Sequence, residues 1–126
     1  MLFRSERVRF LGWRDDRSAL LKAATAVLIP SRHEPFGNVV VNAWAHGTPL
    51  VATRSEGPGY LVRDGEDGLL VPVDDAHALA EAARRVIGDQ SLAQSLIAAG
   101  SQRAAAEFSE AAVVARYLEV LSHLCP

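Results

Sequence analysis

The chain of 126 residues holds one cysteine, Cys125, one lysine, Lys22, and one methionine, Met1. A single cysteine beside the terminus excludes an intrachain disulfide and a cysteine-based zinc cluster. The arginines are scattered among aspartates and glutamates, the net charge is −2, and there is no polybasic face, so nucleic acid is not an expected partner. No apolar run approaches the ~20 residues that a membrane-spanning helix requires. The opening residues, Met1-Leu2-Phe3-Arg4-Ser5-Glu6-Arg7, lack the apolar core of a signal peptide, and a cytoplasmic location is the expectation. No two histidines stand at metal-ligand spacing, so no metal site is expected. A Gly-x-Ser-x-Gly nucleophile elbow is absent as well.

What is present suits one modest core. The length is too short for two ordinary domains, and an apolar content of 49% fits a globular one. Residues 30–53 carry the most information: they read as strand end, tight loop, helix, tight loop and next strand. The apolar run 26–29 has strand length and is stopped by Pro30. Glu34-Pro35-Phe36-Gly37 supplies a turn, in which Pro35 fixes φ and Gly37 is free to take φ > 0. Residues 38–45 wind as a buried helix stopped by Gly47 and Pro49, and 50–53 form the next strand. A loop that leaves a strand's carboxyl end and opens a helix presents backbone N–H groups at a positive dipole end, where a phosphate is favoured.

The remaining segments complete an alternation. A strand over 8–11 precedes a helix capped by Asp15 or Asp16, with Leu20, Leu21 and Ala24 on one face. Loop 54–59 contains Gly57 and Gly59, which permit a tight turn or close approach of something to the backbone. A short helical piece over 60–63, the Asp64-Gly65 turn and a strand over 69–71 follow. Helices over 76–87 and 92–107, the latter with a weak point at Gly100, and one capped by Ser109 end the chain. The fold class expected is α/β: a partial doubly wound, Rossmann-like parallel sheet of about four strands, with helices on both faces and more helices at the C-terminal end.

Glu34-Pro35-Phe36-Gly37 and the trailing Gly47-Thr48-Pro49-Leu50-Val51-Ala52-Thr53 resemble the donor-nucleotide motif of the GT-B-fold glycosyltransferases, in particular the retaining group known as group 1 or family 4. Val8-Arg9-Phe10-Leu11-Gly12 and Asp64-Gly65-Glu66-Asp67-Gly68-Leu69-Leu70-Val71 resemble further segments of that family in the right order. The resemblance implies a nucleotide diphosphate-sugar as substrate, retaining transfer to an acceptor, and no metal or other cofactor. Glu34 would accept a hydrogen bond from a hydroxyl of the donor sugar. Phe36, Gly37, Asn38 and Val39 would act through backbone N–H groups on the diphosphate and sugar. Trp13 and Arg14 are candidate contacts for the nucleotide base. No catalytic residue is assigned, because the group works without an established enzymic nucleophile; for the same reason Glu34 and Glu56 are not read as a glycosidase pair.

One position departs from the pattern. The family's second Glu, suited to the ribose hydroxyls, is Asn42, which shares a helix face with Asn38. Asn offers one acceptor where a carboxylate offers two, so a weakened ribose contact and a plain polar surface are both open readings. The bland readings elsewhere are a Glu34 in solvent or paired with Arg32, a His46 bonded to its helix's last carbonyls, and a solvated Lys22.

The family's donor domain opens with two strand–helix units and a basic pair that grips the diphosphate, preceded by an acceptor-binding N-terminal domain. The chain starts at what would be the third strand, so residues 1–126 are expected to be part of a C-terminal donor domain, inactive alone. A non-catalytic interaction or oligomerisation module is the alternative. The naked edge of the 26–29 strand and the apolar stripe Val113, Val114, Tyr117, Leu118 and Leu121 lead to a further expectation: the first two strands pair directly and close the gap, or a homodimer covers the edge or exchanges the N-terminal strand.

Overall fold

The computed structural model describes residues 7–124, so Cys125 and the first six residues lie outside the description. Strands β1 (Val27–Ile29), β2 (Leu50–Thr53) and β3 (Leu69–Val71) form one parallel sheet in that order. Val27 stands opposite Leu50, and Val51 opposite Leu69. All of β2 and β3 is buried, as strands covered on both faces must be.

Side chains alternate across the sheet and separate two cores. Leu50, Ala52 and Leu70 meet Val40, Ala43 and Trp44 of α2 (Asn38–Ala45) on one face. Val51, Leu69 and Val71 meet Ala82 and Val86 of α4 (Ala76–Gly88) on the other. Helix α5 (Gln90–Glu107) serves both, with Leu96 in the second core and Ala104 in the first. Helices therefore cover both faces, as the doubly wound pattern requires.

The glycine at position 100 has a packing cause. A Cβ there would stand 2.3 Å from Cδ1 of Trp44, so the weak point of α5 is the seat of that indole. Trp44 in turn donates from Nε1 to the Asp67 carbonyl at 2.7 Å.

Three expectations need correction. Residues 8–11 do not form a strand: Val8 and Leu11 are about half exposed and Phe10 is 90% exposed. Among the described residues the sheet therefore has three strands rather than about four. A strand is stable only when its N–H and C=O groups find a partner strand, and in the doubly wound order the neighbour of this segment is not among the described residues. The segment does not pair with β1 either, so the expected direct pairing does not occur, and among the described residues β1 keeps an open edge. Finally, the short helix after β2 starts earlier than expected, as α3 (Glu56–Leu61). Ser55, extended and buried, is its N-cap, and Gly57 and Pro58 fall in the first turn, where an intrahelical N–H partner is not required.

At the margins, α1 (Arg17–Ala23) starts after Asp16, whose carboxylate binds Arg14 instead of a helix N–H. Leu21 of its apolar face is buried and Leu20 is not. Helix α6 (Glu110–Leu124) starts where Ser109 Oγ accepts from the Ala112 N–H at 3.3 Å, and it buries no residue.

Candidate functional site

The loop between β1 and α2 leaves the carboxyl end of the sheet. Its exit is fixed by Thr53 at the end of β2, whose hydroxyl is bonded to the carbonyls of Ile29 and Ser31. The loop then folds on itself: Glu34 Oε1 accepts from the Gly37 N–H at 3.0 Å. Gly37 takes φ = 90°, a left-handed conformation that favours glycine, and becomes the N-cap of α2 with no side chain closing the helix. Its carbonyl accepts from Val40 at 2.9 Å. The N–H groups of Asn38 and Val39 have no intrahelical acceptor, which leaves two parallel donors at the positive end of an eight-residue helix.

A second loop braces the first. The Gly57 N–H donates to the Glu34 carbonyl at 2.7 Å, and Glu56 Oε2 accepts from the Glu34 N–H at 3.2 Å. A Cβ on Gly57 would lie 2.3 Å from the carbonyl carbon of Phe36. The close approach that this glycine permits is thus by the chain's own Phe36-Gly37 peptide. Glu56 sits below the usual glutamate range because of its own backbone N–H first, then His33, then the Glu34 N–H. His33 Nδ1 lies 3.1 Å from Glu56 Oε1.

Glu34, Phe36, Gly37, Asn38 and Val39 are brought together on this loop and the first turn of α2. Asn42 lies one turn further on, half-buried, and its carbonyl meets Nδ1 of His46 at 2.7 Å, so His46 is a helix-end residue. Arg32 binds Asp74 across the loop, not Glu34. Trp13 stands 95% exposed and Arg14 is paired with Asp16, so nothing in their packing ties either to the α2 loop. Lys22 is exposed. A groove of about 970 Å³ runs along the other side of the loop, walled by Phe36 and Gly57 together with Tyr60, Arg103, Phe108 and Tyr117. Glu34, Asn38 and Asn42 are not in its wall.

Glu56 and Gly57 were not legible as loop braces. The one signal was the Ser55-Glu56-Gly57 run at a strand's carboxyl end, which marks a helix start but not its partner. Arg103, on a helix that reads as plain packing, carries no sequence signal at all. No helix among the described residues is long and apolar enough to cross a membrane.

The sequence matches the family described as "Glycosyl transferases group 1" over residues 2–89. It is 44% identical over 118 residues to the lipopolysaccharide core biosynthesis glycosyltransferase LpsE of Rhizobium meliloti, which covers 94% of this chain and 35% of the relative. It is 40% identical over 102 residues to glycogen synthase of Mycobacterium tuberculosis, covering 79% and 25% respectively. Among solved structures, Anabaena Alr3699/HepE in complex with UDP superimposes with a TM-score of 0.87 at 31% identity, over 93% of this chain and 32% of that one. The same protein has been solved with UDP-glucose. The chain thus spans about a third of the length of curated relatives such as LpsE.

Proposed function

The chain belongs to the group 1 glycosyltransferases, and we propose that it is the donor-binding part of one that moves a sugar from a nucleotide diphosphate-sugar to an acceptor. Residues 1–126 are part of the C-terminal donor domain, cytoplasmic in location, and transfer requires an acceptor domain beyond this unit. The observation that carries the reading is the uncapped start of α2. Gly37 in the left-handed region brings the Asn38 and Val39 N–H groups to one open point at the carboxyl end of β1, and fixed donors at a helix start suit a diphosphate. The relationship to a protein solved with UDP and UDP-glucose makes a uridine nucleotide the first ligand to try.

In this reading the backbone amides take up charge that a metal ion would otherwise neutralise, and transfer is retaining and independent of a metal. The Glu34 carboxylate keeps its Gly37 bond through Oε1, and Oε2 is the atom that accepts from a donor-sugar hydroxyl. Titration with UDP, GDP and their sugars tests this. Weak but saturable binding, stronger with the sugar attached and unchanged by EDTA, is the expected result. Binding of free phosphate as tight as that of the nucleotide-sugar would contradict it.

A second reading, an oligomerisation module that keeps the scaffold without nucleotide binding, is favoured by α6. It buries no residue and leaves Tyr117, Leu118 and Leu121 more than half exposed; the edge of β1 away from β2, which pairs with no strand among the described residues, favours it as well. Light scattering over a concentration series separates a homodimer from a monomer, and a homodimer that ignores UDP would favour this second reading over the first.

A further inference from the structure

We infer that Arg103 is a positioning residue for the nucleotide loop, although it stands on α5 and belongs to no part of the motif. Its guanidinium joins the far ends of the two helices whose near ends make the site. Nη1 donates to the Leu61 carbonyl, the last residue of α3, at 2.7 Å. The same nitrogen bonds Asp67 Oδ2 at 2.6 Å, and Nε reaches Glu107 at 3.3 Å. The guanidinium carbon also lies 4.8 Å from the ring centroid of Trp44, in the last turn of α2, a cation–π distance.

Asp67 makes this a closed unit. Its side chain is fully buried, its Oδ1 accepts from the Arg63 N–H at 2.8 Å, and its carbonyl accepts from Trp44 Nε1 at 2.7 Å. Arg103 is itself only 15% exposed, so the fork works in low dielectric, where charge-assisted bonds hold geometry best. A lysine could supply the charge but not the planar fork that meets a carbonyl, a carboxylate and a ring at once.

From there the constraint runs to the site by contact. Leu61 Cδ1 packs against Gly37, where a Cβ would meet it at 3.2 Å. At the other end of α3, Gly57 holds the Glu34 carbonyl. Arg103 therefore sets where α3 lies against the loop, and with it the direction in which the Asn38 and Val39 amides point. The inference rests on the donor-binding reading for its consequence, and on the geometry alone for its mechanism.

The test compares Arg103→Lys with Leu96→Ala, which opens a cavity in the core on the opposite face of the sheet, away from the loop. Asp67→Asn serves as a second route to the same defect, since it keeps an oxygen for the Arg63 N–H and loosens the grip on Arg103. All are assayed well below their melting points with far-UV dichroism unchanged. Hydrogen exchange at the Gly37 and Gly57 amides is expected to quicken about tenfold in Arg103→Lys and less in Asp67→Asn, but not in Leu96→Ala at matched loss of stability. UDP affinity should fall about fivefold or more with the first variant and hold in the control. Equal exchange at both amides in the Arg103 and Leu96 variants would overturn the inference. If the unaltered chain fails to bind UDP, the donor reading fails, and the exchange rates alone decide the role of Arg103.

Discussion

The amide nitrogen of Gly57 lies 2.7 Å from the carbonyl oxygen of Glu34, and that bond joins the loops that follow two adjacent parallel strands. Each loop leaves its strand at the carboxyl end, where open α/β sheets put their ligands. The bond needs the two backbones closer than any side chain allows, so a glycine is required at 57 for steric reasons and not for its φ. Phe36 and Gly37 are held from behind, which leaves the front of the loop, with the Asn38 and Val39 amides, free to meet a ligand.

Gly57→Ala is therefore expected to cost about 1–3 kcal/mol of stability. The added carbon would meet the Phe36 carbonyl at 2.3 Å, and backbone cannot move aside as a flexible side-chain end can. Urea unfolding of the two proteins measures it. A loss below about 0.5 kcal/mol, the range of a neutral surface change, would mean the loops are not in contact.

Gly37→Val should abolish nucleotide binding while the protein still folds. At φ = 90° any side chain is strained by roughly 1–2 kcal/mol, and this one would also press on Leu61 and Pro58 of α3. Calorimetric titration with UDP checks the binding, and dichroism the fold.

The central strand–loop–helix unit was legible because each of its residues carries a local signal. Residues 38–45 are helical and 50–53 and 69–71 are strands, as expected, since Pro30, Gly47 and Pro49 stop their neighbours and the runs between are apolar. Residues 8–11 read equally well as a strand, but a strand needs a partner, and no local pattern reports whether one is there. The same limit hid the braces of the site. Glu56 bonds a residue 22 positions away and Arg103 one 42 positions away, and such contacts are properties of the packed fold. Gly100 looked like a helix weakness because its reason, the Trp44 ring, lies on another helix.

Acid should loosen the loop through Glu56. Its folded pKa is depressed, so its contribution to stability is fully present above the unfolded value of about 4.3 and is lost as pH falls below that, through the folded value. The Glu34 N–H and His33 then lose a charged acceptor. Glu56→Gln should lower the urea midpoint near neutrality, where the charged acceptor is lost, and flatten the acid side so that the two profiles converge at low pH. A profile identical to that of the parent chain would show that Glu56 does not brace the loop.

Asn42→Glu should tighten binding of UDP but not of pyrophosphate. The residue lies one turn beyond Asn38, and a carboxylate there offers two strong acceptors to a pair of ribose hydroxyls where the amide offers one. An equal change for both ligands would place the effect in charge rather than in ribose recognition.

The central claim is that the backbone at the start of α2 receives the diphosphate, and the amide spectrum of the nitrogen-15-labelled chain tests it most directly. On addition of UDP-glucose, the resonances of Gly37, Asn38 and Val39 are expected to move most and to saturate together, with Gly57 moving next as the bracing loop adjusts. Saturable shifts confined to α4 or α6, with Gly37, Asn38 and Val39 unmoved, would contradict it.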